Sequence, residues 1–468
     1  MAAVIIQQPM LRVGIANEDT ENPTFVQLKS IDLRHVVELN DRIFVDNEDY
    51  ENHLLRSLSS QHDQSWPDPS TRPVWKIMVH QVSSTSKDGS VTPSMASKVE
   101  CLDIVFAFHH AICDGQAALL FHRDLLIALN SEDRRSTNVE QHILRLEPLI
   151  HLPKPLESLV PFTLSWLFFL KTLWTELVWK NLAPSFLNPA PDPKTLPWTG
   201  KPSTLEPLKT NIRLIHIPSS TLDSLLKVCR QHKTTLTPLI HALMLTSLSN
   251  RLPASEAPTF TTSTPIGLRH MTVPSFDRNQ IHCLVTSFNY AFSPATAAML
   301  RDTILNSEST ERLPEDSTAE ESRCVAAIFD AARELGIALK AKVTTLPADD
   351  EIALLKYVSD TRNFWLSRLD KRRERTWEVS NIGSMKLADA RGEAANQTSE
   401  RASWKITKSI FTQGALPIGA AFNVNIAGVQ GRGNWITITW QEGVVDKSLM
   451  DNVAKDLVYW TNRLSGGH

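Results

Sequence analysis

"IVFAFHHAICDGQAALL" (residues 104–120) passes from an apolar run through two adjacent histidines to an Asp-Gly pair and then a helical pattern. The run before the histidines is rich in Val, Ile and Phe and reads as a buried strand. "GQAALLFHRDLLIAL" (115–129) carries apolar residues at helical spacing among good helix formers. The turn between them therefore holds His109, His110, Asp114 and Gly115 together. Each has an ordinary explanation by itself: a satisfied core histidine, a helix N-cap, a turn glycine. The combination H-H-x-x-x-D-G, however, is expected by chance in only roughly 0.1% of chains of this composition. A histidine at the end of a buried strand can present its ring to a cavity while its backbone stays bonded in the sheet. Its ordinary pKa, about 6.5, suits proton removal at neutral pH. Asp114 sits on the turn that folds back beneath that ring, and Gly115 removes a side chain where the backbone must pass close to a neighbour.

On either side of this turn, strands and helices alternate. "PVWKIMVHQV" (73–82) and "KVECLDIVFAF" (98–108) read as a hairpin with an unusually long polar loop at 83–97. "LVPFTLSWLFFLKTLWTELVW" (159–179) is apolar and aromatic but contains Pro161, Lys171 and Glu176. It fails the criterion of a long uncharged span, so a buried or interfacial helix is expected. "NPAPDPKTLPWTGKPSTLEP" (188–207) has too many prolines for regular structure and marks a crossover between domains. Beyond it come a strand at 210–218, a helix capped by Ser220, and a helix over 235–252 whose start is marked by Thr237 and Pro238. The acidic stretch 308–322 reads as a solvated loop. The segment 420–440 reads as a hairpin about a glycine-rich turn. A last helix sets Met450, Val453, Leu457, Trp460 and Leu464 on one face. No internal repeat is legible.

At 468 residues the chain is too long for one ordinary core, and two domains are expected. A formal charge of −3 gives no reason to invoke nucleic acid as a partner. Five scattered cysteines without a C-x-x-C pair argue for free thiols in a reducing compartment and against a zinc site. The first residues lack the basic region of a signal peptide, so a cytoplasmic protein is expected, with peripheral membrane or lipid-droplet contact left open. Neither a G-x-S-x-G elbow nor an H-E-x-x-H motif is present, so neither a serine hydrolase nor a metal hydrolase is indicated.

"HHAICDG" (109–115) resembles the H-H-x-x-x-D-G signature of the chloramphenicol acetyltransferase-like superfamily, which includes the plant BAHD acyltransferases and the condensation domains of peptide synthetases. The rest of the chain looks most like the fungal alcohol O-acetyltransferase branch. "PVWKI", "LTPLIHALM", "TPIGLR" (264–269), "VSNIG" (379–383) and "WQEGVVD" (440–446) follow one another in the expected order. The resemblance implies an α/β protein of two chloramphenicol acetyltransferase-like domains, each a mixed β-sheet flanked by helices, with an active-site tunnel between them. Residues 1–188 would form the first domain, 189–208 the linker and 209–468 the second.

By the same resemblance, His110 is the general base that takes the proton of an acceptor hydroxyl as its oxygen attacks an acyl thioester. His109 supports the loop. Asp114 pairs with an arginine on a neighbouring strand, for which Arg269 is the match, and Gly115 supports the turn. Asn381, Ser380 and Gln441 are candidate donors to the oxyanion. No permanently bound cofactor and no metal are expected; acetyl-CoA or another acyl-CoA is the cosubstrate, a small-molecule alcohol the acceptor, and a monomer the expected state. "GVQGRG" (428–433) lacks the strand-then-helix context of a phosphate cradle and reads as a hairpin turn. Two alternatives stay open: the same fold with other histidine-assisted chemistry (carrier-protein acyl transfer, condensation or cyclisation), and a non-catalytic binder of a hydrophobic ligand or membrane surface.

Overall fold

The structure, a computed structural model, describes residues 1–40, 46–81, 101–131, 139–148, 150–174, 195–202, 205, 208–307, 314–386 and 404–466. The 83–97 insert and most of the proline-rich crossover lie outside these residues.

In the first part of the chain, strand β1 (Val37–Asn40) runs parallel to β2 (Trp75–Gln81), which pairs antiparallel with β3 (Leu102–Phe108). This is the expected hairpin, with described strands that begin two residues later at Trp75 and four residues later at Leu102 than the sequence suggested. Helix α1 (Asn47–His62) precedes it, and α2 (Gly115–Asn130) follows directly on the histidine turn. Trp75, Phe106, Ile112, Phe121 and Leu125 close a core that also takes in the N-terminal Val4, Ile5 and Leu11. Phe106 and Phe121 stack with ring centroids 3.8 Å apart, which ties the strand before the motif to the helix after it.

The second part is built on one six-stranded mixed sheet. Its strands are β4 (Thr210–Ile217), β5 (Thr261–Gly267), β6 (Val285–Ala291), β7 (Arg375–Met385), β8 (Ala420–Val429) and β9 (Gly433–Gln441), in spatial order β6-β5-β7-β8-β9-β4. β7 lies parallel to both of its neighbours, and the other pairs are antiparallel. β8 and β9 form the expected hairpin; Gly431 and Gly433 have φ of 77° and 96°, values that favour glycine. The "GVQGRG" stretch is thus a turn and not a phosphate loop. The two main sheets are unequal, six strands here against three around β2.

Strand alternation gives the large sheet two unlike faces. One carries Trp377, Val379, Phe422, Val424, Ile426, Ile436, Ile438 and Trp440, packed against helices that include α4 (Ser219–Gln231), α5 (Leu236–Arg251) and α8 (Lys447–Leu464). The other carries Ser263, Glu378, Ser380, Asn423, Asn425, Thr437, Thr439 and Gln441. This polar face is covered instead of solvated: Asn425, Thr437 and Thr439 are fully buried.

Several expectations need correction. The helix at 219–231 starts one residue before Ser220, after Pro218. α5 starts at Leu236 after Thr235, which leaves Pro238 inside the first turn, where its missing N–H costs nothing. The expected acidic loop is helical from Pro314, as part of a helix that continues to Thr345. Of the aromatic segment, residues 175–179 lie outside the described residues; Trp166–Leu173 is helical and exposed, with Trp166 78% and Leu167 80% accessible, which leaves the interfacial alternative and not the buried one. Among the described residues no helix is long and apolar enough to cross a membrane.

Candidate active site

β3 ends at Phe108 and the chain turns through the two histidines. The His109 amide still donates to the carbonyl of Val74, so this backbone position completes the hairpin ladder. The His109 ring is held inside the turn. Its Nδ1 accepts from the Ala111 amide at 3.1 Å, and its Nε2 faces the carboxylate of Glu18 at 3.5 Å. Because Nδ1 accepts a backbone proton, the ring proton belongs on Nε2. Burial lowers the His109 pKa and favours this neutral form. His109 is thus occupied with the shape of the turn.

His110 is exposed. Its Nδ1 lies 3.5 Å from the Sγ of Cys283, on the segment leading into β6. Burial pushes the Cys283 thiol up to about 12, so it stays protonated at any physiological pH. Among the described residues Nε2 has no hydrogen-bond partner.

Asp114 is buried and caps α2: Oδ1 accepts from the Ala117 amide at 2.7 Å. Oδ2 accepts from the Leu284 amide at 2.8 Å, and that residue adjoins Cys283. Arg269 does face Asp114, with 3.7 Å from Nη2 to Oδ1. It sits not on a strand but in a one-turn 3₁₀ helix after β5, which ends at Gly267. Its guanidinium donates mainly to carbonyls, those of Arg278, Gln280 and His282. Asp114 and Arg269 together pin the 278–284 segment against the histidine turn. Gln8 pins it from the other side, accepting from the Ile281 amide and donating to the Asn279 carbonyl.

Gly115 lies where α2 meets β7. A Cβ there would come within 2.4 Å of Ile382 Cγ2, and the neighbouring Gln116 donates to the Ile382 carbonyl at 2.7 Å. The glycine is thus required for close approach between elements.

The oxyanion candidates are less well placed. Asn381 spends its amide locally: Nδ2 donates to Thr237 Oγ1 at 3.0 Å and Oδ1 accepts from the Gly383 amide at 2.9 Å. Gln441 lies two strands from β7, with Oε1 accepting from Arg373 at 3.2 Å. Ser380 is buried on the polar face one step from Glu378.

The sequence reading missed two residues, Cys283 and Glu378. Glu378 Oε2 accepts from Ser263 Oγ at 3.0 Å, the residue opposite it in the ladder, and Gln413 Nε2 lies 3.4 Å from Oε1. Burial raises its pKa, opposed by the hydrogen bonds from Ser263 and Gln413 and by the charges of Arg375 and His110. A lone carboxylate inside a strand whose neighbours Trp377 and Val379 are buried was the available signal.

The extended segment 404–418 closes over the polar face and joins the two parts of the chain. Lys408 pairs with Asp103 of β3 at 3.0 Å, Thr412 meets His62 of α1 at 2.8 Å, and the Phe411 carbonyl accepts from Thr437 of β9 at 2.6 Å. The turn that carries His110 and the strand that carries Glu378 thus belong to the two parts of the chain that this segment joins.

Residues 15–455 match the family model described as Alcohol acetyltransferase. A probable alcohol acetyltransferase, FCK4 of Fusarium pseudograminearum, is 30% identical over 467 residues, covering 98% of this chain and 84% of that protein. A second, crmB of Aspergillus fumigatus, is 25% identical over 93% of this chain and 83% of its own length. Among solved structures, the TRI3 trichothecene 15-O-acetyltransferase of Fusarium sporotrichioides superposes with a TM-score of 0.60 at 13% identity, over 99% of this chain and 84% of that one. The EpoB cyclization-docking bidomain of Sorangium cellulosum gives 0.51 at 13% identity, over 100% and 76%. These two likenesses concern the fold, a two-lobed arrangement of sheets flanked by helices. The sequence match spans nearly the whole chain, and by it the chain belongs to the alcohol acetyltransferase family.

Proposed function

We propose that the chain is an acyl-CoA-dependent O-acyltransferase in which His110 is the general base. The observation that carries this reading is the His110 ring: it is exposed at the junction of the two parts of the chain, with Nδ1 against Cys283 and Nε2 open. With its proton on Nδ1, directed at the Cys283 sulfur, the imidazole leaves Nε2 basic. Nε2 takes the hydrogen of the acceptor hydroxyl while the alcohol oxygen bonds to the thioester carbonyl carbon. The resulting tetrahedral oxyanion collapses, the C–S bond breaks, and the imidazolium returns its proton to the leaving thiolate. Ester and free thiol leave, and no acyl-enzyme is formed. Asp114 and Arg269 act through structure, by holding Cys283 where it meets the ring. The domain division at 189–208 remains part of this proposal, as the boundary across which the two sheets meet.

The test is thiol release from acetyl-CoA with a panel of alcohols, comparing wild type with His110→Ala. Positioned base catalysis of this kind supplies about 10²–10⁴-fold, so turnover should fall by that factor. Equal rates for the two proteins across donors and acceptors would overturn the assignment and favour a non-catalytic binder.

A further inference from the structure

The helix Trp166–Leu173 presents its apolar face to solvent. Phe168, Phe169 and Thr172 share one side and are half-buried, whereas Trp166, Leu167, Leu170, Leu173 and Trp174 share the other and are exposed. Surface helices ordinarily show the reverse order, apolar side to the core and polar side to water. The face is fixed in this attitude by its anchors. Ser165 caps the helix, accepting from the Phe168 amide at 3.2 Å, and its own amide and hydroxyl donate to the two carboxylate oxygens of Asp349 at 2.7 and 2.9 Å. The Asp349 amide donates to the Thr163 carbonyl at 2.8 Å, beside a parallel bridge between Thr163 and Ala348. Phe169, on the inner side, meets the exposed Tyr357 ring edge-on at 5.7 Å. Upstream, Leu156 and Leu159 pack with Phe276 and with Leu284, the residue after Cys283. Lys171 is the one charged residue of the helix, and Lys356 lies over the Tyr357 ring at 5.0 Å. Asp349, the acid that touches the helix, has both oxygens committed to Ser165.

We propose that this face docks on the surface of an anionic phospholipid membrane, its tryptophans and leucines entering the boundary of the acyl chains and Lys171 and Lys356 meeting the phosphates. The inference goes beyond the acyltransfer reading and does not depend on it. At about 1.5 Å per residue the helix is about 12 Å long, so it lies on a bilayer and does not cross it. Its outer face, about 12 Å by 10 Å, falls far below the about 800 Å² per partner of a stable protein interface, which argues against a second copy of the chain as the occupant. A lipid surface sets no such minimum. Indole rings settle at the headgroup level, leucines enter just beneath it, and each lysine nearby adds attraction to anionic lipid.

The test is flotation of the full chain with vesicles of phosphatidylcholine alone and of phosphatidylcholine with phosphatidylserine, beside sedimentation velocity of the lipid-free protein. Wild type should float with the phosphatidylserine vesicles and bind the neutral ones about 10–30-fold more weakly. Trp166→Ser/Leu167→Ser should bind both at least about tenfold more weakly than wild type. Lys171→Gln/Lys356→Gln should lose about 10–30-fold on the phosphatidylserine vesicles and little on the neutral ones. These side chains stand at the surface, so melting curves that match wild type establish the fold of each variant. No flotation of wild type with either vesicle, or flotation unchanged in Trp166→Ser/Leu167→Ser, overturns the proposal. Equal flotation with and without phosphatidylserine overturns the choice of an anionic surface. A concentration-dependent dimer of the lipid-free protein that the same variant abolishes would assign the face to a second copy instead.

Discussion

Each carboxylate oxygen of Asp114 is committed to a backbone amide, one in its own helix and one 170 residues further along the chain. Replacing Asp114 by Ala removes the cap of α2, leaves the Leu284 amide without its acceptor, and strands the Arg269 charge. The combined cost should be about 3 kcal/mol. The three carbonyls bonded by Arg269 keep the figure near the low end of what a broken buried pair usually costs. A urea titration should show this loss together with reduced thiol release. An Asp114→Ala protein of wild-type stability that has lost only turnover would contradict the structural role. His110, Asp114 and Gly115 were legible because one turn brings them together within seven consecutive residues. Cys283 was not, because it reaches the His110 ring from a segment 173 residues away and no local spacing announces it.

Gly115 illustrates how elements constrain one another. With Ile382 Cγ2 only 2.4 Å from where a Cβ would stand, Gly115→Ala forces α2 away from β7. Overpacking of this kind costs about 1–3 kcal/mol. The double variant Gly115→Ala/Ile382→Ala should recover most of the lost melting temperature, since it frees that volume. No recovery would mean that Gly115 serves its own turn conformation and not this contact. The hairpins were legible because their alternation and glycine turns are local. The helix at 314–345 was misread because its first turns are polar on all sides, a pattern shared by loops and solvated helices. For the helix at Trp166–Leu173 apolar composition left burial and an interface both open, and the exposure of Trp166 and Leu167 decides against burial.

The whole molecule depends on a sheet with one oily and one polar side, and on the oily side the helix α5 buries His241. This fully buried ring accepts from the Trp377 indole N–H on Nδ1 at 2.9 Å and meets Thr264 through Nε2 at 3.0 Å. An indole nitrogen only donates, so the ring is neutral, and burial holds its pKa down at about 3. In the unfolded chain it titrates near 6.5. Its contribution is thus complete above that value and is lost as pH falls toward 3, because the unfolded state alone takes up the proton. Between pH 8 and pH 5 the loss should be about 2 kcal/mol. Unfolding free energies at the two pH values should differ by less in His241→Leu than in wild type; an equal difference would show that other groups set the acid limit. A two-lobed architecture was foreseeable from length, but the unequal sheets were not, because pairing order is written in no single segment. That order also bears on biosynthesis. β4 sits at the edge of the sheet, and its strand partner among the described residues is β9, whose residues are translated more than 200 positions later. At ordinary elongation rates a nascent chain carries that strand without its mate for about ten to forty seconds. Throughout that interval an apolar ribbon with open amides protrudes from the ribosome, and holding it apart from its neighbours falls to the cell's chaperones.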